Sequence, residues 1–489
     1  MSDITFTGLA SGINTSDIVT KLMAAERVPV DNLSKDKETE ANRLKAYGQL
    51  NTMLTDLKTS ASAMNLTSNV QTTKANVSSE SAVTATSDGA GTGSYEITVT
   101  QLAQVQKSIS TGYASKTTSI FGTGTVTVKG KAITINSANN SLTGLMSSIN
   151  AVTETTGVSA SIINDGSGTT PYRLVLTGKD ASTDFSVTSN LLDGLGAAIP
   201  FDSTTNITTA QTAQQAKVTI DGVSVVSNSN TISTAISGVT LNLKAISPIS
   251  DSGPPIVYTT TKLDISADTS ALKEKISTFV SSYNKIMDWI ASGYARNIPA
   301  IETSTTTDAA TRITTTTTTT TPTDAQYSHI LRGDATVNTI KRGLQSILTD
   351  MVNTSGSLHI LSDIGISTNQ DGTLNLSDGK LDTALSNNFS GVAKLLAGED
   401  STDGVMKKFN TYLIKVTSAS SGMYADKRNR YESKTNNLEN QITQKSAILD
   451  KTESTLKARF NAMEQLVSSL NSQSSFLTQW TNSFTSSNS

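Results

Sequence analysis

No cysteine occurs anywhere in the 489 residues. That excludes disulfides, thiolate nucleophiles and cysteine-ligated zinc together, and it suits a protein working outside the cell without oxidative folding. Histidine is almost as scarce. His329 and His359 stand thirty residues apart with no acidic neighbour at ligand spacing, which argues against a metal site and for loop or solvent-facing roles. Aromatic residues make up 5% and apolar residues 36%, below the roughly 45–50% usual for globular chains, a reference that also counts glycine. Serine and threonine fill the difference, so the cores are thin. A net charge of −3 gives no electrostatic case for nucleic acid or an anionic membrane. No stretch approaches the ~18 consecutive apolar residues of a membrane span. Met1–Asp17 lacks a basic region followed by an apolar core, so no ordinary secretory signal is expected.

What the chain does have is periodicity. After Gly422 it contains neither glycine nor proline, and Ile442, Leu449, Leu456, Met463, Leu470, Leu477 and Phe484 recur every seven residues. Such a stripe is a coiled-coil seam. Its second position is poor: Leu438, Val467 and Trp480 serve it, but Lys445, Thr452 and Arg459 lie near it too. A helix of this kind needs a partner, either the chain's own N-terminal helix or another subunit. At the opposite end, Leu44, Tyr47, Leu50, Leu54, Leu57, Ala61 and Met64 step by threes and fours. Before them Ile18, Leu22 and Ala25 form a shorter apolar face, expected to be interrupted by Pro29.

Between Thr72 and Asp268 the period falls to two. Tyr95, Ile97 and Val99 alternate with polar residues, as do Val126 with Val128 and Ile133 with Ile135. Val218–Ile220, Asp221-Gly222 and Val223–Val225 read as a hairpin with a mirror-image turn. One helix is expected inside this region, capped by Ser141 and carrying Leu142, Leu145, Ile149 and Val152 on one face. Helices return with Leu272, Ile276, Phe279, Tyr283, Ile286 and Ile290, then with Val337, Ile340, Leu344, Ile347 and Met351. Asp371-Gly372 marks a small hairpin, and Leu381, Leu385, Phe389, Val392 and Leu395 another amphipathic segment. Glu302–Asp324, with threonine at every position from Thr314 to Thr321, has little to bury and reads as a mobile loop.

The search for chemistry returns little. Gly124 to Gly130-Lys131-Ala132 has the wrong spacing and no hydroxyl residue for a phosphate loop, and reads as strand. Glu399, Asp400 and Asp403 lack the calcium-loop pattern and read as a solvated turn. Arg332-Gly333-Asp334 is the integrin-type tripeptide, but Asp334 sits where a helix beginning near Ala335 needs its N-cap. No Gly-x-Ser-x-Gly elbow occurs. No catalytic, cofactor-binding or metal residues are assigned, and an enzyme is not expected.

Several blocks resemble one family. Gly8-Leu9-Ala10-Ser11-Gly12-Ile13-Asn14-Thr15, followed by Ile18-Val19, Leu22–Arg27 and Pro29, is similar to the start of flagellar hook-associated protein 2, the filament-capping family. Phe460–Leu466, Leu470-Asn471-Ser472 and Ser474–Thr478 resemble its C-terminal region. Ser141–Asn150, Gly157–Ala160 and Arg173–Thr177 resemble a repeat shared with flagellins, and Gly238–Leu243, Leu361–Ile366 and Gly372–Leu374 also fit.

The resemblance implies an α+β multidomain protein: helical coiled-coil ends and a helix bundle, with two small β-rich domains inserted in the middle. The segments expected are a flexible N-terminal helical leg (1–42), the first part of the bundle (43–71) and a β-rich plate domain (72–106 and 206–268). A second inserted β-rich domain (107–205), the rest of the bundle (269–424, with the loop 302–324) and a C-terminal coiled-coil leg (425–489) complete the chain. It implies a secreted cap at the distal tip of the bacterial flagellum that promotes folding and insertion of exported flagellin. It further implies a ring of five or six like subunits, export by the flagellar type III apparatus, and an export chaperone at the C-terminal region; no cofactor, nucleic acid or membrane is implied. The contact residues expected are the seven-residue seam, Leu9, Ile13, Ile18 and Leu22 in the N-terminal leg, and Leu44, Tyr47, Leu50, Leu54 and Leu57 in the bundle helix. Two rivals remain: a surface adhesin binding mucin or host glycans through Thr72–Asp268, and another flagellar axial protein of the hook junction.

Overall fold

The computed structural model describes residues 11–307, 314–318 and 320–486. Ten α-helices lie among them: α1 (Thr15–Ser62), α2 (Thr67–Val70), α3 (Leu142–Asn150), α4 (Thr153–Thr156), α5 (Thr269–Ser292), α6 (Asp324–Ile330), α7 (Ala335–Thr349), α8 (Asp378–Ala397), α9 (Val405–Thr417) and α10 (Met423–Ser486). The chain divides into two compact units, Met1–Val70 with Thr269–Ser489, and Gln71–Asp268. The fold is therefore α+β, with helices at both ends and a β-rich middle.

In the helical unit the second half of α1 packs with α5 and α9, and α7 and α8 complete the same core. Tyr47, Leu50, Leu54 and Leu57 are buried there beside Leu272, Ile276, Phe279, Tyr283, Ile286 and Ile290 of α5, and Leu44 is half-buried. Phe279 and Phe409 meet edge to face with ring centroids 5.0 Å apart. The helix α9, built on Val405, Met406, Phe409, Leu413 and Val416, is absent from the sequence reading given above. Asn284 of α5 ties in the small hairpin Ile366–Thr368/Leu374–Leu376, its amide donating to the Leu374 carbonyl (2.8 Å) and its oxygen accepting from the Leu374 N–H (2.6 Å).

Three expectations are corrected. Pro29 does not end a helix: α1 runs unbroken from Thr15 to Ser62, so the proposed leg and bundle segments are parts of one helix. Proline removes one backbone donor there, but Val30 beside it is buried against α10 and holds the helix on both sides. Met351 lies beyond α7 and is 62% exposed, and Val352 takes the buried place. The threonine-rich stretch is not simply a loop: Thr303–Thr307 pairs antiparallel with Thr314–Thr318. A run of β-branched residues satisfies its backbone as a two-stranded ribbon although it has almost no apolar surface to bury.

The β-rich unit contains two hydrophobic cores. A five-stranded sheet, in the order Thr73–Val77, Thr261–Ala267, Gly93–Gln101, Ala216–Ile220 and Val223–Ser227, shares the first core with a three-stranded sheet of Thr231–Ile236, Val239–Leu243 and Val83–Ser87. The strands of both sheets pair antiparallel, and side chains alternate between core and surface along Thr261–Ala267 and Val239–Leu243. The Asp221-Gly222 turn has positive φ at both residues, 48° and 81°, as the mirror-image turn requires. The second core gathers Phe121, Val126, Val128, Leu174 and Leu176 around Leu142, Leu145 and Ile149 of α3, whose N-cap Ser141 accepts from the Gly144 N–H. Ile207 is buried in this second core and Ile207–Gln211 pairs with Lys107–Ser110, so the inserted region extends past residue 205.

Candidate assembly surface

The two chain ends come together as an antiparallel helical hairpin. Val19, Met23 and Val30 of α1 are buried against Ile442 and Leu449 of α10, with Leu33, Leu456 and Phe460 partly buried around them. Both helices place these residues at heptad spacing, so one stripe of each faces the other. Polar ties mark the length of the pairing. Ser11 bonds Glu464 at the far end, Lys37 pairs with Glu439, and Lys434 pairs with Glu40 nearer the bundle. At the base Lys427 lies over the Tyr47 ring, 5.2 Å from its centroid, and Tyr431 is 5.8 Å from the same ring.

The seam therefore splits. Ile442 and Leu449 are closed inside the chain, and Leu456 and Met463 are intermediate. Leu470 and Leu477 are 54% and 57% exposed, alongside exposed Leu466 and Phe476. On α1 the residues expected to make contacts, Ile13, Ile18 and Leu22, are exposed at 45%, 38% and 48%. Leu9 and the Phe484 side chain fall outside the described residues. The inward stripe of α1, Val19 with Met23 and Val30, had the right spacing in the sequence but was hidden by the equally regular Ile18, Leu22 and Ala25 beside it.

Leu438 is buried at the second seam position, as expected, but beyond Ile442 that position follows the first by four residues, so Ser446 is buried and Phe460 partly buried, whereas Lys445 and Arg459 are exposed. The polar breaks in the seam are thus Ser446 and the largely covered Glu453, whose carboxylate accepts from Lys457 at 2.9 Å. Most informative are two carboxylates that pattern reading passed over. Glu40 and Glu464 are each only 4% exposed. Oε1 of Glu40 takes both Arg43 and Lys434, as a buried charge demands.

The other motifs have structural roles. Asp334 caps α7, accepting from the N–H groups of Thr336 (2.7 Å) and Val337 (3.2 Å), and pairs with Lys427 at 3.2 Å. Burial pushes its carboxyl up, but the Tyr47 hydroxyl, the two amides and the Lys427 ammonium outweigh it and hold the group below its ordinary value. Burial, with Asp334 adding to it, pushes the Tyr47 phenol well above its usual range. Arg332 of the same tripeptide stacks over Tyr294, 5.2 Å from the ring centroid. Nδ1 of His329 lies 2.9 Å from the Gly293 carbonyl and Nδ1 of His359 3.1 Å from that of Val352, so each ring ties down a loop. Gly124 and Lys131 belong to paired strands, with Lys129-Gly130 at the turn. Glu399 is held low, to about 2, by Lys394 first and then Ser355. Among the described residues no group of three or more acidic or histidine side chains is placed to hold a metal, and no helix is long and apolar enough to cross a membrane.

The α1–α10 hairpin leaves apolar positions exposed on both helices, a feature of the class of proteins that work by assembling with others. Comparison with known proteins names the class. The sequence models for the N-terminus and the C-terminus of flagellar hook-associated protein 2 match residues 11–106 and 213–472, and the flagellin hook IN motif matches 120–197. The A-type flagellar hook-associated protein 2 of Pseudomonas aeruginosa is 30% identical over 97% of this chain and 96% of its own. Flagellar hook-associated protein 2 of Escherichia coli K12 is 30% identical over 98% of each. A crystal structure of the D1-D2-D3 domains of the flagellar cap protein FliD from Escherichia coli superposes with a TM-score of 0.59 at 28% identity, covering 78% of this chain and 99% of that one. The chain belongs to the flagellar hook-associated protein 2 family, a family of structural flagellar proteins, as its terminal blocks had indicated.

Proposed function

We propose that this protein caps the distal tip of the flagellar filament and promotes the folding and insertion of exported flagellin. In this reading five or six copies form a ring, having left the cell through the flagellar type III apparatus with an export chaperone on the C-terminal region. No bond is made or broken; the work is association. The two cores of the β-rich unit are assigned to the plate and its inserted domain, and the α1–α10 hairpin to the leg.

The observation that carries this reading is the split seam. Its near half is closed by α1, while Leu466, Leu470 and Leu477 present apolar surface that water disfavours. Full burial of a leucine is worth roughly 1.5–3 kcal/mol, so covering three of them is a substantial contribution to holding a neighbour. The exposed Ile18 and Leu22 add a second strip on α1.

The test is a Leu470→Asp, Leu477→Asp double substitution in the full chain. Filament growth is expected to stop while the purified protein keeps its helix content and both β-rich cores. Filaments of normal length from that variant would reject the leg assignment. Electron microscopy of the purified wild type addresses the ring separately, with rings of five or six expected and single chains at all concentrations counting against them.

A further inference from the structure

Ser11 and Glu464 stand 453 positions apart in the chain yet meet at one contact. The carboxylate of Glu464 accepts from the backbone N–H of Ser11 (3.3 Å) and from its hydroxyl. We propose that Glu464 is a positioning residue that receives the Ser11–Asn14 turn and clasps the first turns of α1 onto α10.

The local geometry gives each residue of the turn a task. Ser11 supplies both donors to Glu464, and its Oγ also accepts from the Ile13 N–H at 3.3 Å. Gly12 has φ +74°, a left-handed conformation that a side chain would strain. Asn14 then caps α1, its side-chain oxygen accepting from the Asp17 N–H at 3.1 Å. Thr15, the first residue of the helix, is buried.

The burial of Glu464 is local. Asn461, Ala462, Gln465 and Leu466 around it are exposed, yet Glu464 is covered. A carboxylate withdrawn from water in this way requires hydrogen-bond donors, and donation to a charged acceptor is among the stronger kinds of hydrogen bond. Between this contact and the Lys37–Glu439 pair the hairpin is held chiefly by Val19, Met23 and Val30 on one side and Ile442 and Leu449 on the other. That is a thin apolar strip, so a specific tie at its free end decides whether the first turns of α1 stay docked. The Ser11–Asn14 turn and Glu464 are thus the halves of one clasp, and α1 cannot be secured until the residues around Glu464 are present.

Hydrogen–deuterium exchange on the full-length protein tests this. Glu464→Ala is expected to speed exchange across Thr15–Met23 by roughly tenfold or more, as for loss of a hydrogen bond to a charged group. Ala46–Ala61 and the β-rich unit should be unchanged and serve as folding controls. Glu464→Gln, which retains an acceptor, should lie between wild type and the alanine variant. Ser11→Ala combined with Glu464→Ala should be no worse than Glu464→Ala alone, the signature of a shared contact. Wild-type exchange in Glu464→Ala, fully additive effects of the two substitutions, or acceleration running evenly through Ala46–Ala61 would each overturn the clasp.

Discussion

Leu449 and Leu477 occupy equivalent positions in one seven-residue repeat, and the structure assigns them opposite energetic roles. Leu449 is 8% exposed against Val19, Met23 and Val30, whereas Leu477 is 57% exposed. Truncating a buried leucine to alanine costs about 2–5 kcal/mol in globular cores, and the low end suits a seam only two helices thick. Leu449→Ala should therefore destabilise the docked form of the α1 leg by about 2 kcal/mol, a roughly thirtyfold rise in local opening. Leu477→Ala removes a side chain that is already more than half in water, and should change opening by less than about 0.5 kcal/mol. Amide exchange over Thr15–Leu33 measures the first effect directly, with Ala46–Ala61 as the internal reference. In a motility assay Leu477→Asp should abolish swarming although its leg remains closed. Equal acceleration of exchange by Leu449→Ala and Leu477→Ala would refute the division of the seam into a closed and an open half.

Asp334 provides an acid-dependent test. Its folded-state carboxyl is held low, so the stabilisation it gives is complete above the ordinary aspartate range and is lost as pH falls through the depressed value. Asp334→Asn keeps the cap but not the charge and should flatten that part of the stability–pH curve, while Asp334→Ala should cost about 0.5–2 kcal/mol at neutral pH; a wild-type acid profile in Asp334→Asn would count against the assignment. Replacing the threonine-rich stretch between Glu302 and Pro322 by a short linker should leave thermal unfolding of the helical unit within about 0.5 kcal/mol of wild type, because none of its described residues belongs to that unit's apolar core. A large drop in melting temperature would show that the ribbon is structural.

Elements specified by local chemistry are legible in the sequence alone. The Asp221-Gly222 hairpin, the Ser141 cap, the Asp334 cap and the α5 stripe each combine a periodic apolar face with a turn or cap residue that has few alternatives. The threonine ribbon was not, because low apolar content signals a loop while β-branching favours a strand, and the second effect prevailed. The continuation of α1 through Pro29 was hidden for a related reason. The local penalty is visible in sequence, whereas the packing of Val30 on α10 that outweighs it involves residues four hundred positions away. Glu40 and Glu464 were missed because a carboxylate is normally a solvent residue, and only its donors, also distant in sequence, reveal otherwise. Which half of the seam is open depends on where α1 begins, which repeat spacing alone does not encode.

The strands that enter and leave the β-rich unit are neighbours in one sheet. Thr73 pairs with Ala267 and Val77 with Leu263, and the Asp268 N–H closes the ladder on the Thr72 carbonyl at 2.9 Å. The unit is thus knotted off at its own neck, like a bag whose drawstring is a pair of β-strands. Loops, strands or a whole extra core gained or lost within the bag leave the two cords at the neck where they were. Both chain connections of that unit thus leave it side by side, from adjacent ends of the same strand pair.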